Sequence, residues 1–218
     1  MAAKRNPGER AGLDREKILD AALALVDREG LKALSMRRLA AELGVEAMTL
    51  YHYLPSKDAL LDGLVERVLT QALPLPEGDA GWRPLLRGYA DSLRTALLRT
   101  PALLPLLQSR PAVTPATLAA AERGLAALVS AGFPLGRALD AINALTVLVL
   151  GHAAAEAGPG PGAGERPEGS AAWLAGLAEE EYPLLVRAAR TGYGTDDAER
   201  FAFAVDALLT GFAATLDG

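Results

Sequence analysis

Thr49, Tyr51, His52 and Tyr53 stand within five consecutive residues, and Lys57 follows one helical turn beyond them. Hydroxyls, rings and a cation crowd onto a segment too short to need them for a core. Such groups hydrogen-bond phosphate oxygens and base edges, so a surface that contacts double-stranded DNA is the economical reading. Other chemistries lack their parts. The chain has no cysteine, and its two histidines, His52 and His152, are a hundred residues apart. That removes disulfides, iron–sulfur clusters, thiolate zinc and a cysteine nucleophile, and it leaves no set of groups for catalysis. The run PGPGAG follows a helical segment instead of a strand, outside the context of a nucleotide loop. No enzyme activity, metal site or cofactor is expected.

The elements that must carry this cluster read as three short helices over Leu13 to Leu64. Asp14 is a good N-cap with Glu16 in the next turn, and Ile18, Ala22, Leu25 and Val26 form one stripe that stops at Gly30. Ser35 caps a second helix whose inner face is Leu39, Ala40 and Leu43, with Leu34 and Leu39 placed as a hydrophobic staple. Gly44-Val45 makes a tight turn. If Glu46 caps the third helix, Val45 and Leu50 repeat the staple and set the crossing of the two helices. This is the layout of a helix-turn-helix, whose last helix enters the major groove.

Charge distribution agrees. Residues 1–57 carry 10 Lys and Arg against 8 Asp and Glu, a net of +2, whereas 58–218 carry 12 against 19, a net of −7. The overall charge of −5 argues against non-specific coating of nucleic acid, which is mainly phosphate neutralisation. The polar stretch 1–12 reads as a disordered arm without an export segment, which points to the cytoplasm. The uncharged run Ala141 to Ala155 is shorter than the roughly 18 to 20 residues that cross a bilayer, so it reads as a buried helix and no membrane partner is expected.

Helical periodicity continues to the end of the chain. After a Pro/Gly-rich connection at 74–81, helices are expected from Trp82 to Thr100, Pro101 to Leu107, Pro115 to Gly132 and Leu135 to about Ala157. Residues 158–170, GPGPGAGERPEGS, read as a mobile loop. Two further helices, about Ala171 to Arg190 and Asp196 to Leu216, finish an all-α chain of about ten helices. The expected division is a DNA-binding domain over 13–73, including a fourth, linking helix from Lys57 to Leu73, and a larger helical domain over 74–218.

The run SMRRLAAELGVEAMTLYHYLPSKDALLDGL, Ser35 to Leu64, resembles the DNA-binding domain of the tetracycline repressor (TetR) family, through L-A-x-x-L-G-V, T-L-Y and K-x-x-L-L. Trp82 with its following leucine, Ser109-Arg110-Pro111, Ala131-Gly132-Phe133 and Leu150-Gly151 resemble the C-terminal domain of the subgroup that contains the tetracycline repressor. The resemblance implies a regulator of transcription, a repressor that leaves a pseudo-palindromic operator when a small effector binds. It implies that Ser35 and Arg37 lie at the DNA, with Arg37 reaching a guanine edge, a contact worth about 1 to 3 kcal/mol of discrimination. Ala47, Met48, Thr49 and His52 match base-facing positions, and Tyr51, Tyr53 and Lys57 match phosphate contacts. Alternatives stay open: Tyr51 and Tyr53 also fit half-buried rings that close the small domain, and His52 fits an ordinary surface histidine.

The family forms homodimers through its last helices. Phe201, Val205, Leu208, Leu209 and Phe212 make a stripe suited to such a seam, although the same stripe fits packing within its own domain. Tyr89, Leu93, Leu106, Leu139, Ile142, Asn143 and Thr146 are the candidate effector-binding residues, with the other reading that each leucine is plain core. Positions that hold the drug–magnesium chelate in the tetracycline repressor look like Leu106, Tyr89 and Gly124 here. The resemblance thus implies a metal-free, largely apolar effector. The alternative function is a helical protein-interaction module that binds no DNA.

Overall fold

The computed structural model describes residues 13–72, 81–158, 170–192, 196–214 and 216. Among these residues it is all-helical, with eleven α-helices, two 3-10 turns and no strand. The expected N-terminal arm, and the expected 158–170 loop apart from its end residues, lie outside the described residues. By contacts the chain divides into two compact units, residues 1–131 and 132–218, and the fourth helix lies within the first, packed by elements before and after it in sequence.

The first unit opens with α1 (Arg15–Glu29), α2 (Met36–Glu42) and α3 (Ala47–Tyr51). Caps set their starts: Asp14 Oδ1 accepts from the Lys17 amide at 2.8 Å and Ser35 Oγ from the Arg38 amide at 3.1 Å. Glu46 occupies the N-cap of α3 but gives no side-chain bond; its carbonyl accepts from the Thr49 amide at 2.9 Å. Between α2 and α3 the chain reverses through Gly44, whose φ of 65° is left-handed. The Val45 amide bonds Ala40 O at 3.0 Å and the Gly44 amide bonds Ala41 O at 3.3 Å, the paired bonds of a Schellman cap. Any side chain at position 44 strains this turn. Leu34, Leu39, Leu50 and Leu54 are buried beneath it, with Ile18, Leu25 and Val26 of α1.

Helix α4 (Lys57–Gln71) is capped by Ser56, whose Oγ accepts from the Ala59 amide at 3.0 Å. It packs against α1 and also against α5 (Trp82–Arg99), α6 (Leu104–Ser109) and α7 (Pro115–Ser130). Ionic contacts add to the α1 side: Arg67 pairs with Glu16 and Asp20, and Arg15 with Glu66. The expected helix from Pro101 is a 3-10 turn, Pro101–Leu103, that widens into α6.

The second unit contains α8 (Leu135–Glu156), α9 (Ala171–Ala175), α10 (Pro183–Thr191) and α11 (Asp197–Ala214). The single helix expected from Ala171 to Arg190 is interrupted. Pro183 has no N–H to continue a helix and disfavours helical geometry at Tyr182, which sits at φ −126°, ψ 52°. Helix α8 is longer than the apolar run within it, and among the described residues it is the one helix long and apolar enough to cross a bilayer. Its Ala138, Ala141, Leu145, Val149 and Ala153 are buried within protein, and it packs on α11.

Candidate nucleic-acid interface

Helix α3 sorts its side chains by burial. Leu50 is fully buried and Leu54, one turn on, is 3% exposed, whereas Met48, Tyr51 and His52 are exposed. Those three lie at i, i+3 and i+4, one face of a helix, and half-buried Ala47 begins the same face. The helical turn continues past Tyr51: the His52 amide bonds Thr49 O at 3.3 Å and the Tyr53 amide bonds Leu50 O at 3.0 Å. Tyr53 is half-buried, so its ring packs while its edge stays accessible.

Thr49 departs from the expected base-facing role. It is 7% exposed, on the side of α3 that carries Leu50, because helical phase turns it away from the exposed row of Met48, Tyr51 and His52. Its methyl is a packing group.

Around α3 the polar groups separate into engaged and available ones. Arg38 is engaged: its guanidinium donates to Glu29 of α1 and Glu42 of α2, and Arg28 also reaches Glu42 at 2.9 Å. The Arg38 hydrogen bond holds the Glu29 carboxyl below its usual range, and Glu29 raises Arg38 in turn. Arg37 is exposed and makes no ion pair among the described residues. Burial alone pushes the Asp27 carboxyl of α1 up. Ser35 uses one of its two oxygen lone pairs on the α2 cap, leaving the hydroxyl hydrogen to donate. Lys57 is exposed on the first turn of α4, where backbone N–H groups have no helical acceptor. Arg37, Met48, Tyr51, His52 and Lys57 thus form a set of exposed donors and apolar contacts on three successive helices, of the kind a duplex groove and its phosphates accept.

One feature near this set is not among the sequence candidates. Arg110, after α6, reaches back to α4, with Nη2 2.7 Å from Asp58 Oδ1 and Nε 3.1 Å from Asp62 Oδ1. The available signal was two aspartates at i and i+4 on one face of α4.

The candidate effector residues are dispersed by burial. Leu93 and Leu106 are core residues of the first unit, at 0% and 4% exposure, and Tyr89 is half-buried there. In the second unit Ile142 and Thr146 are half-buried, and the Thr146 hydroxyl donates to Ile142 O at 2.8 Å. Leu139 and Asn143 do not line an interior: both are exposed, on the side of α8 opposite Ala138, Leu145 and Val149. Helical phase decides this, since Leu139, Asn143 and Val147 fall on one outward row. A cavity of about 260 Å³ in the first unit is lined by Gln71, Asp91, Ser92, Thr95, Ala96 and Arg99, none of which was expected to bind an effector. No group of three His, Cys, Asp or Glu among the described residues is placed to hold a metal.

Three of the five residues of the expected dimer stripe are taken up by packing within the chain itself. Phe201, Val205 and Leu209 are buried and Leu208 and Phe212 half-buried, on a helix that packs against α8 of its own unit. The His152 and Phe201 rings meet edge-on at 5.6 Å. The stripe closes the unit's own core. The outward faces carry Phe203 on α11 and Val147 on α8, at 77% and 69% exposure.

Residues 18–64 match the family model of bacterial regulatory proteins, tetR family, and residues 73–216 match that of the tetracyclin repressor-like C-terminal domain. The chain is 37% identical over 147 residues to the HTH-type transcriptional repressor DrrR1 of Streptomyces coeruleorubidus, a match covering 67% of this chain and 54% of that protein's length. It is 32% identical to the class D tetracycline repressor protein of Escherichia coli, over 94% of this chain and 92% of that one. Among solved structures, the TetR family protein ActR of Streptomyces coelicolor in complex with actinorhodin superposes with a TM-score of 0.78 at 30% identity, covering 94% of this chain and 99% of that one.

Proposed function

The chain belongs to the TetR family of bacterial regulatory proteins, and from that premise we propose that it is a sequence-specific repressor of transcription. The observation that carries this reading is the exposed face of α3. Met48, Tyr51 and His52 stand out from a helix whose other side is buried, beside an Arg37 that its own fold leaves unpaired among the described residues. A helical interaction module has no need of such donors at a helix-turn-helix, and the relatives' names, all repressors or regulators, support the DNA reading. Enzymatic function finds no support, since the relatives are transcriptional repressors.

In this proposal Arg37, Ala47, Met48 and His52 face bases, and Ser35, Tyr51, Tyr53 and Lys57 hold phosphates. The functional division into 13–73 and 74–218 is supported by the two family matches, the first ending at residue 64 within α4 and the second beginning at residue 73 just after it. A second copy of the chain supplies the other half-site reader. Apolar side chains as exposed as Phe203 and Val147 favour the outward faces of α8 and α11 as the dimer contact. Twofold symmetry then sets two α3 helices about 34 to 36 Å apart, one turn of the duplex.

A small, largely apolar effector releases the operator by favouring a different tilt of α4, through a coupling of typically 1 to 3 kcal/mol. That a structural neighbour is in complex with actinorhodin supports ligand response in this group of proteins. Leu106, Tyr89 and Gly124 do not supply the magnesium-chelate ligands, so titration calorimetry, corrected for the heat of drug–magnesium association without protein, is expected to show no magnesium-dependent binding of tetracycline to the chain.

Selection of bound duplexes from a random pool tests the central reading. Recovery of a pseudo-palindromic sequence whose complex weakens with salt and with Arg37→Ala is the expected result; a pool that never enriches would overturn it.

A further inference from the structure

Two carboxylates stand where a phosphate-binding end of a helix would least tolerate them. Asp58 follows Lys57 directly, and Asp62 lies one turn further along α4. Unopposed, they would place two negative charges against one lysine at the end of α4 that meets the duplex. Both are answered by one cation from elsewhere in the first unit. Arg110 sits about four-fifths buried in the turn after α6, and it forks between Asp58, through Nη1 and Nη2, and Asp62, through Nε. Its backbone is held by a bond from its amide to Leu106 O at 3.0 Å. The guanidinium is planar and rigid, so its separate N–H groups serve the two carboxylates in a fixed fork that a compact ammonium does not present.

We propose that Arg110 is a positioning residue for operator binding, acting through charge: it neutralises Asp58 and Asp62 so that Lys57 meets the phosphate without competition from its own helix. The proposal rests on the DNA-binding reading above. Arg110 touches no base or phosphate in this scheme. Its effect is on the local field, which acts over a Debye length of about 8 to 10 Å at moderate salt and fades as salt rises.

The test is fluorescence anisotropy of the full chain on the duplex that the wild-type chain selects, at about 50 and 200 mM salt. Arg110→Ala is expected to weaken binding about three- to tenfold at the lower salt and less at the higher. Adding Asp58→Asn and Asp62→Asn to Arg110→Ala is expected to restore wild-type affinity, which a purely structural role of Arg110 would not allow. Asp58→Asn with Asp62→Asn alone keeps the test alive if Arg110→Ala does not fold; it should bind as tightly as wild type or tighter. Arg110→Ala binding like wild type, a triple variant no better than Arg110→Ala, or weaker binding by the aspartate double variant would each overturn the proposal while the DNA reading stands. A wild-type chain that selects no duplex would overturn both.

Discussion

Gly63 of α4 lies so close to Leu19 of α1 that a Cβ at position 63 would stand 2.9 Å from the leucine Cδ2. Leu19 is 1% exposed and has no open space to yield into, whereas Arg15, whose Nη2 would lie 3.2 Å away, is 39% exposed and can swing aside. Helix-interior glycine costs about 1 kcal/mol against alanine, and here the close approach of two helices is the reason to keep it. Arg67, paired with Glu16 and Asp20, ties the same two helices ionically. Any movement of α4 must therefore carry α1 with it.

Gly63→Val should lower stability by about 1 to 3 kcal/mol through overpacking, read as the urea midpoint. A variant as stable as wild type would mean that α1 and α4 can separate at low cost. Gly63→Ala is a poor probe, because its propensity gain of about 1 kcal/mol offsets a similar strain.

Adjacent arginines should behave oppositely. Arg37→Ala is expected to lose about 1 to 3 kcal/mol of operator discrimination and to leave the thermal midpoint unchanged. Arg38→Ala should do the reverse, lowering the midpoint slightly as Glu29 and Glu42 lose their shared partner. Equal effects of the two on DNA binding would contradict the assignment.

Lys57→Ala should weaken binding to all duplexes alike and reduce the slope of log affinity against log salt by about 1, as loss of one phosphate contact requires. An unchanged slope would remove Lys57 from the interface.

Acid should expose the Glu29 contact. Its folded pKa lies below the ordinary 4.5 because Arg38 donates to it, so the unfolded chain takes up its proton first as pH falls. The contribution is complete above the ordinary value and is lost as pH falls through the lowered one. Both groups face solvent, so the effect is small. Urea midpoints of Glu29→Gln should decline less steeply than wild type below about pH 5; parallel declines would count against the contact.

Two phenylalanines on α11 separate core from contact surface. Phe201→Ala should cost about 3 to 5 kcal/mol of stability, as for a buried ring. Phe203→Glu should leave the protomer folded and shift sedimentation from dimer to monomer. A dimer that survives Phe203→Glu would move the interface elsewhere.

Local signals made the N-terminal helices legible from the amino-acid order alone. Caps at Asp14 and Ser35, the tight turn at Gly44 and the buried stripe of α1 each depend on neighbours within a few residues, and the structure places them as expected. The break at Pro183 was equally local, and its signal was in the residues, since proline removes the amide that the helix needed.

Residue order determined where the N-terminal helices form and start and which polar and aromatic side chains cluster at the third of them, because these follow from backbone bonding and helical period over short spans. It did not determine which apolar face finds a partner in the chain. Phe201, Val205 and Leu209 look the same as a dimer seam or as core, and only α8 lying against them decided for core, which left Phe203 and Val147 outside. Tertiary structure likewise brought Arg110 to Asp58 and Asp62 across about fifty residues of sequence, and turned Leu139 and Asn143 outward. Periodicity assigns residues to faces; the neighbour that covers a face is chosen by packing between segments far apart in the chain.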